Sequence, residues 1–398
     1  MNKAPKLRFK EFSGDWENKK LGEVTQITGG GTPSTTEKQY WNGNIPWFTP
    51  TEIKSQKYVS MSERTITSEG LCKSSAKILP KGTILLTTRA SLGDMAIVQN
   101  EVTTNQGFQS IIASEKVSNE FIYYLQNQIK KYCYKNASGS TFLEISKKNI
   151  ENFRFNMPSI EEQEKIASFF SLIDAKIYLQ SEKVEALKDY KKGMMQKIFS
   201  RELRFKDDEG RDYPDWEENK LGEILSIPEK IKEDNISKDK LLTVKLHRKG
   251  VQVKESTDTL SIGSTIYYKR KSGQLIYGKQ NFFNGAIDII PDRFDGFISS
   301  GDVPALDINK EIADSRFILN IIGRDIFYKK TESLATGTGS KRLHENILFT
   351  ITIDLPCMDE QKKIVKFLNG IDLKIDKEQE KLDYLNEYKK GLLQQMFV

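Results

Sequence analysis

The sequence predicts an α+β fold in which two α/β domains are separated by a pair of long antiparallel coiled-coil helices, with an internal pseudo-two-fold repeat. Three observations predict it. Residues 160–200 align with residues 358–398 at an offset of 198 without a gap, and 18 of the 41 positions are identical. Both segments place apolar residues at alternating spacings of four and three, the mark of a helix with a single apolar seam. The intervening segments instead show short strand-like runs between Gly-rich turns, each followed by a helical stretch. The chain therefore divides into residues 1–157, 158–200, 201–355 and 356–398.

The segment 1–157 reads as mixed α/β, with strand-like runs at Gly82–Thr88 and Met95–Val98 ahead of a helical stretch at Asn119–Lys131. The segment 201–355 repeats the scheme with Gly263–Tyr268, Gly285–Ile290 and a helical stretch near Ala313–Asp325. Matched ends frame both copies. Asp15-Trp16 and Lys20–Glu23 recur at an offset of 200 as Asp215-Trp216 and Lys220–Glu223, Arg8-Phe9 recurs as Arg204-Phe205, and Ala137–Gly139 answers to Ala335–Gly337. Between these ends the copies diverge: one has GGGTPSTTEKQYWNGNIPWFTP where the other has IPEKIKEDNISKDKLLTVKLHRKG. Two like frames with two unlike faces suit recognition of two different targets. In each copy an arginine stands seven residues after a strand-opening glycine, Gly82 to Arg89 and Gly263 to Arg270, and the two arginines are taken as one shared position near a loop.

In 158–200 the seam runs through Ile166, Phe170, Ile173, Ile177, Gln180, Val184, Leu187, Lys191, Met194 and Ile198. In 356–398 it runs through Ile364, Leu368, Ile371, Ile375, Glu378, Leu382, Leu385, Lys389, Leu392 and Met396. A stripe of about 33 residues covers about 50 Å, more than either globular segment needs, so the natural partner of each helix is the other. The polar interruptions fall at the same places, Gln180/Glu378 and Lys191/Lys389, where they can fix register. Pro158 and Pro356 precede the helix starts, and Glu161, Glu162, Asp359 and Glu360 suit a helix N-terminus.

Composition narrows the function classes. No window approaches the roughly 18 consecutive apolar residues of a membrane span, and the start MNKAPKLRFKEF offers no apolar stretch for a signal peptide, so the expected location is cytoplasmic with no membrane partner. Cys72, Cys133 and Cys357 are odd in number and far apart, and with His247 and His344 they make no zinc-ligand spacing. The formal net charge is +6, yet residues 160–200 and 358–398 are each neutral, so the surplus belongs to the globular segments. A surplus of that size also fits plain solubilisation. Gly29–Thr32 and Gly337–Lys341 lack the phosphate-loop spacing, and Pro214-Asp215 with Glu218–Lys220 is too compressed for a nuclease carboxylate set. No Asn-Pro-Pro-Tyr-like element and no glycine signature for S-adenosylmethionine occur. The expectation is a chain without catalysis and without a cofactor of its own.

Reading DNA needs Arg or Lys for guanine edges and phosphates, Asn or Gln for adenine, and Ser or Thr for backbone oxygens. Loop-like stretches rich in these types nominate Thr32, Ser34, Thr35, Lys38, Arg89, Ser91, Asn105 and Gln106 in the first globular segment. In the second they nominate Lys269, Arg270, Lys271, Lys279, Gln280, Asn281, Lys341 and Arg342. The same residues also fit ordinary solvated loops, and an adaptor whose helices tether two ligand-binding domains without nucleic acid is the competing reading.

The chain resembles the specificity subunits of type I restriction-modification enzymes. The resemblance spans essentially the whole chain. It is carried by Trp16 with Leu21–Glu23, Gly30–Ser34, Tyr40–Trp47, Thr104–Gly107, and Pro158 with Glu161–Ile166, the last recurring as Pro356 with Asp359–Ile364. The second globular segment lacks the Gly-Gly-Thr-Pro-Ser and Trp-Asn-Gly elements. The resemblance implies two target-recognition domains, 1–157 and 201–355, each docking in the major groove at one half of an asymmetric bipartite site. The helical regions 158–200 and 356–398 would hold the half-sites about one DNA turn apart, roughly 34 Å. They would also seat two adenine methyltransferase subunits, and separate translocase-nuclease subunits would join the assembly. Those partners would use S-adenosylmethionine, ATP and Mg.

Overall fold

Two helices, Ile160–Phe199 and Met358–Met396, are the longest elements of the computed structural model, which describes residues 4–53, 56–89, 91–139, 143–234, 236–255, 265–337 and 340–397. Acidic residues fill both first turns, where they complement the positive end of the helix dipole. The chain forms two units, residues 1–183 with 378–398 and residues 184–377. Each therefore holds one globular segment, the first part of the long helix that follows it, and the last part of the other long helix.

In the first unit the central sheet has five strands in the order Thr25–Gly29, Gln109–Ala113, Ile84–Leu86, Met95–Val98, Tyr58–Val59. Only the last pair is parallel. Every residue of Ile84–Leu86 and Met95–Val98 is buried, which is why these runs are continuously apolar rather than alternating. A second sheet sets Trp41–Phe48 between Arg64–Ile66 and Thr103–Thr104. The main core gathers Trp16, Phe121 and Phe153 with Ile166 and Phe170 of the first long helix and Leu392, Met396 and Phe397 from the far end of the second. The Phe397 ring lies 5.3 Å from that of Phe121 and 6.0 Å from that of Phe170.

Within this unit the two long helices run antiparallel: Asp174 meets Lys389 at 2.5 Å, and Gln180 meets Glu378. The Gln180 Nε2 donates to both the carbonyl and the carboxylate of Glu378, 2.8 Å each. Bonds from Gln180, Lys381 and Lys183 hold the Glu378 carboxyl at a pKa of about 2. Seam positions Ile173, Ile177, Leu382 and Leu385 are half-buried.

The second unit has a four-stranded antiparallel sheet in the order Leu225–Ser226, Ala305–Ile308, Leu275–Tyr277, Ile287–Ile289. Two further pairs, Leu242–Val244 with Val251–Val253 and Tyr267–Lys269 with Ile298–Ser300, lie outside it. Its core gathers Trp216, Phe282 and Phe317 with Ile198 of the first long helix and Ile364, Leu368 and Ile371 of the second. Val184 is buried and Leu187 and Ile375 are half-buried. Lys191 meets Asp372 at 2.5 Å. This pair is the repeat counterpart of Asp174 and Lys389, with the two helices exchanging roles.

The frames match in detail. The strand Glu17–Lys20 pairs with Arg154–Met157, and Glu217–Lys220 with Thr352–Leu355, so each globular segment is closed by its own two ends. Arg8 grips buried Glu162 through two bonds of 2.8 Å, and Arg204 grips buried Glu360 through bonds of 3.3 and 2.8 Å. Gln163 accepts from the Ser118 amide and donates to the Pro158 carbonyl, and Gln361 does the same with Asp314 and Pro356. Ser118 and Asp314 cap the helices Asn119–Tyr124 and Ser315–Ile322. The recurring Glu-Gln pair at each long-helix start thus fastens that helix to its domain.

Candidate nucleic-acid interface

In the first unit the loop Gly30–Thr36 lies against the turn Thr104–Gly107. The Gly31 amide donates to the Thr104 carbonyl at 2.8 Å. A Cβ on Gly30 would come within 2.2 Å of the Asn105 carbonyl, and one on Gly31 within 2.2 Å of the Ser75 Oγ, so only glycine permits this approach. The indole N–H groups of Trp41 and Trp47 donate to the Ser34 and Gly31 carbonyls at 3.0 and 2.8 Å and pin the loop from below. Thr32 donates to Gln106 at 2.6 Å, and Ser34 bonds Thr36 at 2.8 Å. Thr32, Ser34, Thr35, Lys38 and Gln106 are all exposed. Asn105 is half-buried and uses its side-chain oxygen to accept from the Gly107 amide, which shapes the turn.

The loop after Ile84–Leu86 joins this surface, because the Thr88 amide donates to the Gly107 carbonyl at 2.9 Å. Arg89 is half-exposed there and Ala90 lies outside the described residues. Ser91 departs from the expectation: its hydroxyl is buried with no hydrogen-bond partner among the described residues, and its carbonyl accepts from Thr87. The amides of Thr87 and Asp94 tie it in place, the first donating to the Asp94 carbonyl and the second to the Ser91 carbonyl.

In the second unit the turn Gly278–Asn281 and the segment Lys341–Leu343 come together through Lys279, whose amide donates to the Asp302 carbonyl and whose carbonyl accepts from the Leu343 amide. Gln280 is exposed, while Asn281 is half-buried and accepts from Asn284 at 3.1 Å. Lys279 pairs with Glu345 at 3.0 Å, Lys341 with Glu332 at 2.9 Å and Arg342 with Asp302 at 3.4 Å. Lys269 and Lys271 are exposed at the end of another strand pair, and Lys269 pairs with Glu233 at 3.0 Å.

Arg270 requires correction. It is buried, donates to the Ser299 hydroxyl at 2.7 Å, and burial pulls its pKa down to about 10. A guanidinium in that position braces the Tyr267–Lys269 and Ile298–Ser300 pair rather than reaching a base or phosphate. Its pairing with Arg89 fails too. The strand Leu275–Tyr277 takes the place of Ile84–Leu86, since Ile111 opposes Ile84 as Leu306 opposes Leu275. The turn glycines that open these strands are Gly82 and Gly273, with φ of 88° and 79° and amides bonded to Val98 and Ile290. Counting onward, Arg89 corresponds to Gln280. Gly263, the glycine first matched to Gly82, lies outside the described residues.

Sequence reasoning does not reach Arg64, which stacks on Trp41 across a strand register that no local pattern reveals. Nor does it reach His247 and Arg248, consecutive non-glycine residues at φ 56° and 58° in the turn between Leu242–Val244 and Val251–Val253. The local signal there was the basic run Lys245–Lys249.

A family model for the type I restriction modification DNA specificity domain matches residues 13–189. The chain is 33% identical over 303 residues to the MjaIX specificity subunit of Methanocaldococcus jannaschii, covering 70% of each. It belongs to the type I restriction enzyme specificity subunits. The EcoR124I/EcoR124II specificity subunit of Escherichia coli is 31% identical over 175 residues, 42% of this chain and 43% of that one. The fold agrees over the full length with an S subunit from M. genitalium, at a TM-score of 0.56, 16% identity and 99% coverage of both chains. As a specificity subunit the chain recognises DNA sequence for a restriction-modification system and is not itself the catalyst, and the adaptor reading is set aside. Among the described residues no cluster of His, Cys, Asp or Glu could hold a metal ion, and no helix is long and apolar enough to cross a membrane.

Proposed function

We propose that the segments 1–157 and 201–355 are two target-recognition domains, each reading one half of a bipartite, asymmetric DNA site. The helical regions 158–200 and 356–398 set the spacer and seat two adenine methyltransferase subunits, with translocase-nuclease subunits completing a cytoplasmic assembly. S-adenosylmethionine, ATP and Mg serve those partners, and this chain holds none of them. The observation that carries the reading is the contrast inside the repeat: the closing strands, the arginine-glutamate grips and the glutamine clamps recur, while the loops on the candidate faces do not. A shared frame with diverged loops is what two half-sites of different sequence require. Exposed Leu172, Tyr178 and Leu179 on one long helix and Leu373, Tyr384 and Tyr388 on the other supply apolar surface for partner subunits.

The test is methylome sequencing of cells with and without the chain, followed by replacement of residues 201–355 with another second domain. A bipartite adenine-methylation motif should vanish without the chain, and the replacement should rewrite one half of the motif only. Loss of both half-specificities on replacement would overturn the two-reader proposal.

A further inference from the structure

The strand Trp41–Phe48 carries two tryptophans whose rings meet edge to face with centroids 5.0 Å apart. A bulge brings them together. Trp41 and Ile45 both lie opposite Ile66, so the three residues between them loop out, with Asn42 at φ 61°. Both rings are buried, and both indole N–H groups are engaged by the loop carbonyls described above. Arg64 lies opposite Trp47 in the strand register, its guanidinium carbon 3.7 Å from the centroid of Trp41 and 5.3 Å from that of Trp47.

Arg64 is exposed, and among the described residues its guanidinium makes no hydrogen bond or ion pair. An exposed arginine ordinarily samples many rotamers and loses that freedom when it binds. Here the indole platform fixes the plane of the guanidinium beforehand while leaving its N–H fork unpaired. A fork fixed in plane matches a guanine edge, where O6 and N7 must accept two coplanar bonds. A phosphate is met from many directions and gains less from a preset plane. The second unit holds a single tryptophan, Trp216, and it is packed in the core, so no such platform exists there.

We propose that Arg64 reads a guanine in the half-site bound by the first unit. This rests on the two-reader proposal, and the experiment separates the two. The chain is co-purified with its methyltransferase partner as wild type, Arg64→Lys, Arg64→Gln and Arg64→Ala. Methylated motifs are sequenced, and binding is measured by competition with duplexes substituted one base pair at a time. Arg64→Lys keeps the charge but loses the fork, so discrimination at one G·C pair should fall by roughly 5- to 150-fold, with the other half-site read unchanged. Arg64→Gln should relax the same position.

Wild-type base preference in Arg64→Lys and Arg64→Gln overturns the proposal, even where Arg64→Ala abolishes methylation by disturbing the fold. A uniform loss of affinity with intact preference also overturns it, since that marks a phosphate contact. If the wild-type chain directs no bipartite motif at all, the two-reader proposal falls and this one with it.

Discussion

In the first unit Lys38 and Arg89 have no ion-pair partner among the described residues, whereas in the second Lys269, Lys279, Lys341 and Arg342 each lie 3.4 Å or less from a carboxylate. The two candidate faces stand on the same frame, so the difference is not one of architecture. It shows that a count of basic residues overstates the field a surface can offer. On the second face a carboxylate already neutralises most of the positive groups, and DNA must compete for them. The modest net charge of the chain thus conceals one face with free cations and one with compensated ones.

The comparison can be broken at its shared part. Removing Glu162 leaves the shielded Arg8 without its ion-pair partner and should cost about 3–5 kcal/mol in denaturant unfolding of the chain, whereas Arg204 keeps Asp215 at 3.2 Å when Glu360 is removed. The Glu360 change also takes the acceptor of the Trp216 indole, which donates to it at 3.1 Å, whereas among the described residues the Trp16 indole N–H has no partner, so the two changes should cost similar amounts. Little effect from either would mean that the frame is not what holds the two units alike.

It can be sharpened at the paired arginines of the sequence reading. Arg89→Ala should weaken binding, or relax the first half-site, by about 1–3 kcal/mol while leaving thermal stability near wild type. Arg270→Ala should do the reverse, lowering stability by about 1–3 kcal/mol through loss of its bonds to the Ser299 hydroxyl and the Ser300 and Val303 carbonyls, with base preference intact. Measuring melting temperature and half-site preference for both variants decides it. Equal loss of preference in both would restore Arg270 as a reader.

The smallest effect tests the compensation itself. Glu332→Gln frees Lys341 from its partner, and if DNA can then recruit that ammonium, the plot of log affinity against log salt should steepen by about one. An unchanged slope would show that Lys341 stands away from the bound duplex.

The helices were legible because a heptad seam is written in neighbouring residues: Ile166, Phe170 and Ile173 announce their common face without reference to anything distant. The placement of Arg270 and Ser91 was not. Whether an arginine at a strand end points out or in depends on which strand lies beside it, and that partner, Ile298–Ser300, is about thirty residues away. The equivalence of Gly82 with Gly273 was hidden for a related reason. The offset between copies is 200 at the opening strands and 198 at the long helices but 191 at this pair, whereas the shared seven-residue interval from glycine to arginine selects Gly263, at an offset of 181. Pairing across the sheet supplies what spacing cannot.

The tail of the second long helix has a consequence for the order in which the chain matures. The first unit's core joins Phe170 to Phe397, and the Leu7 amide donates to the Gln395 carbonyl, so its contacts span almost the entire polypeptide. The second unit is continuous from 184 to 377. Contacts so far apart close slowly and only after the intervening chain exists. On the ribosome the domain translated first is therefore the one finished last, and an interrupted product leaves it with an unfilled core.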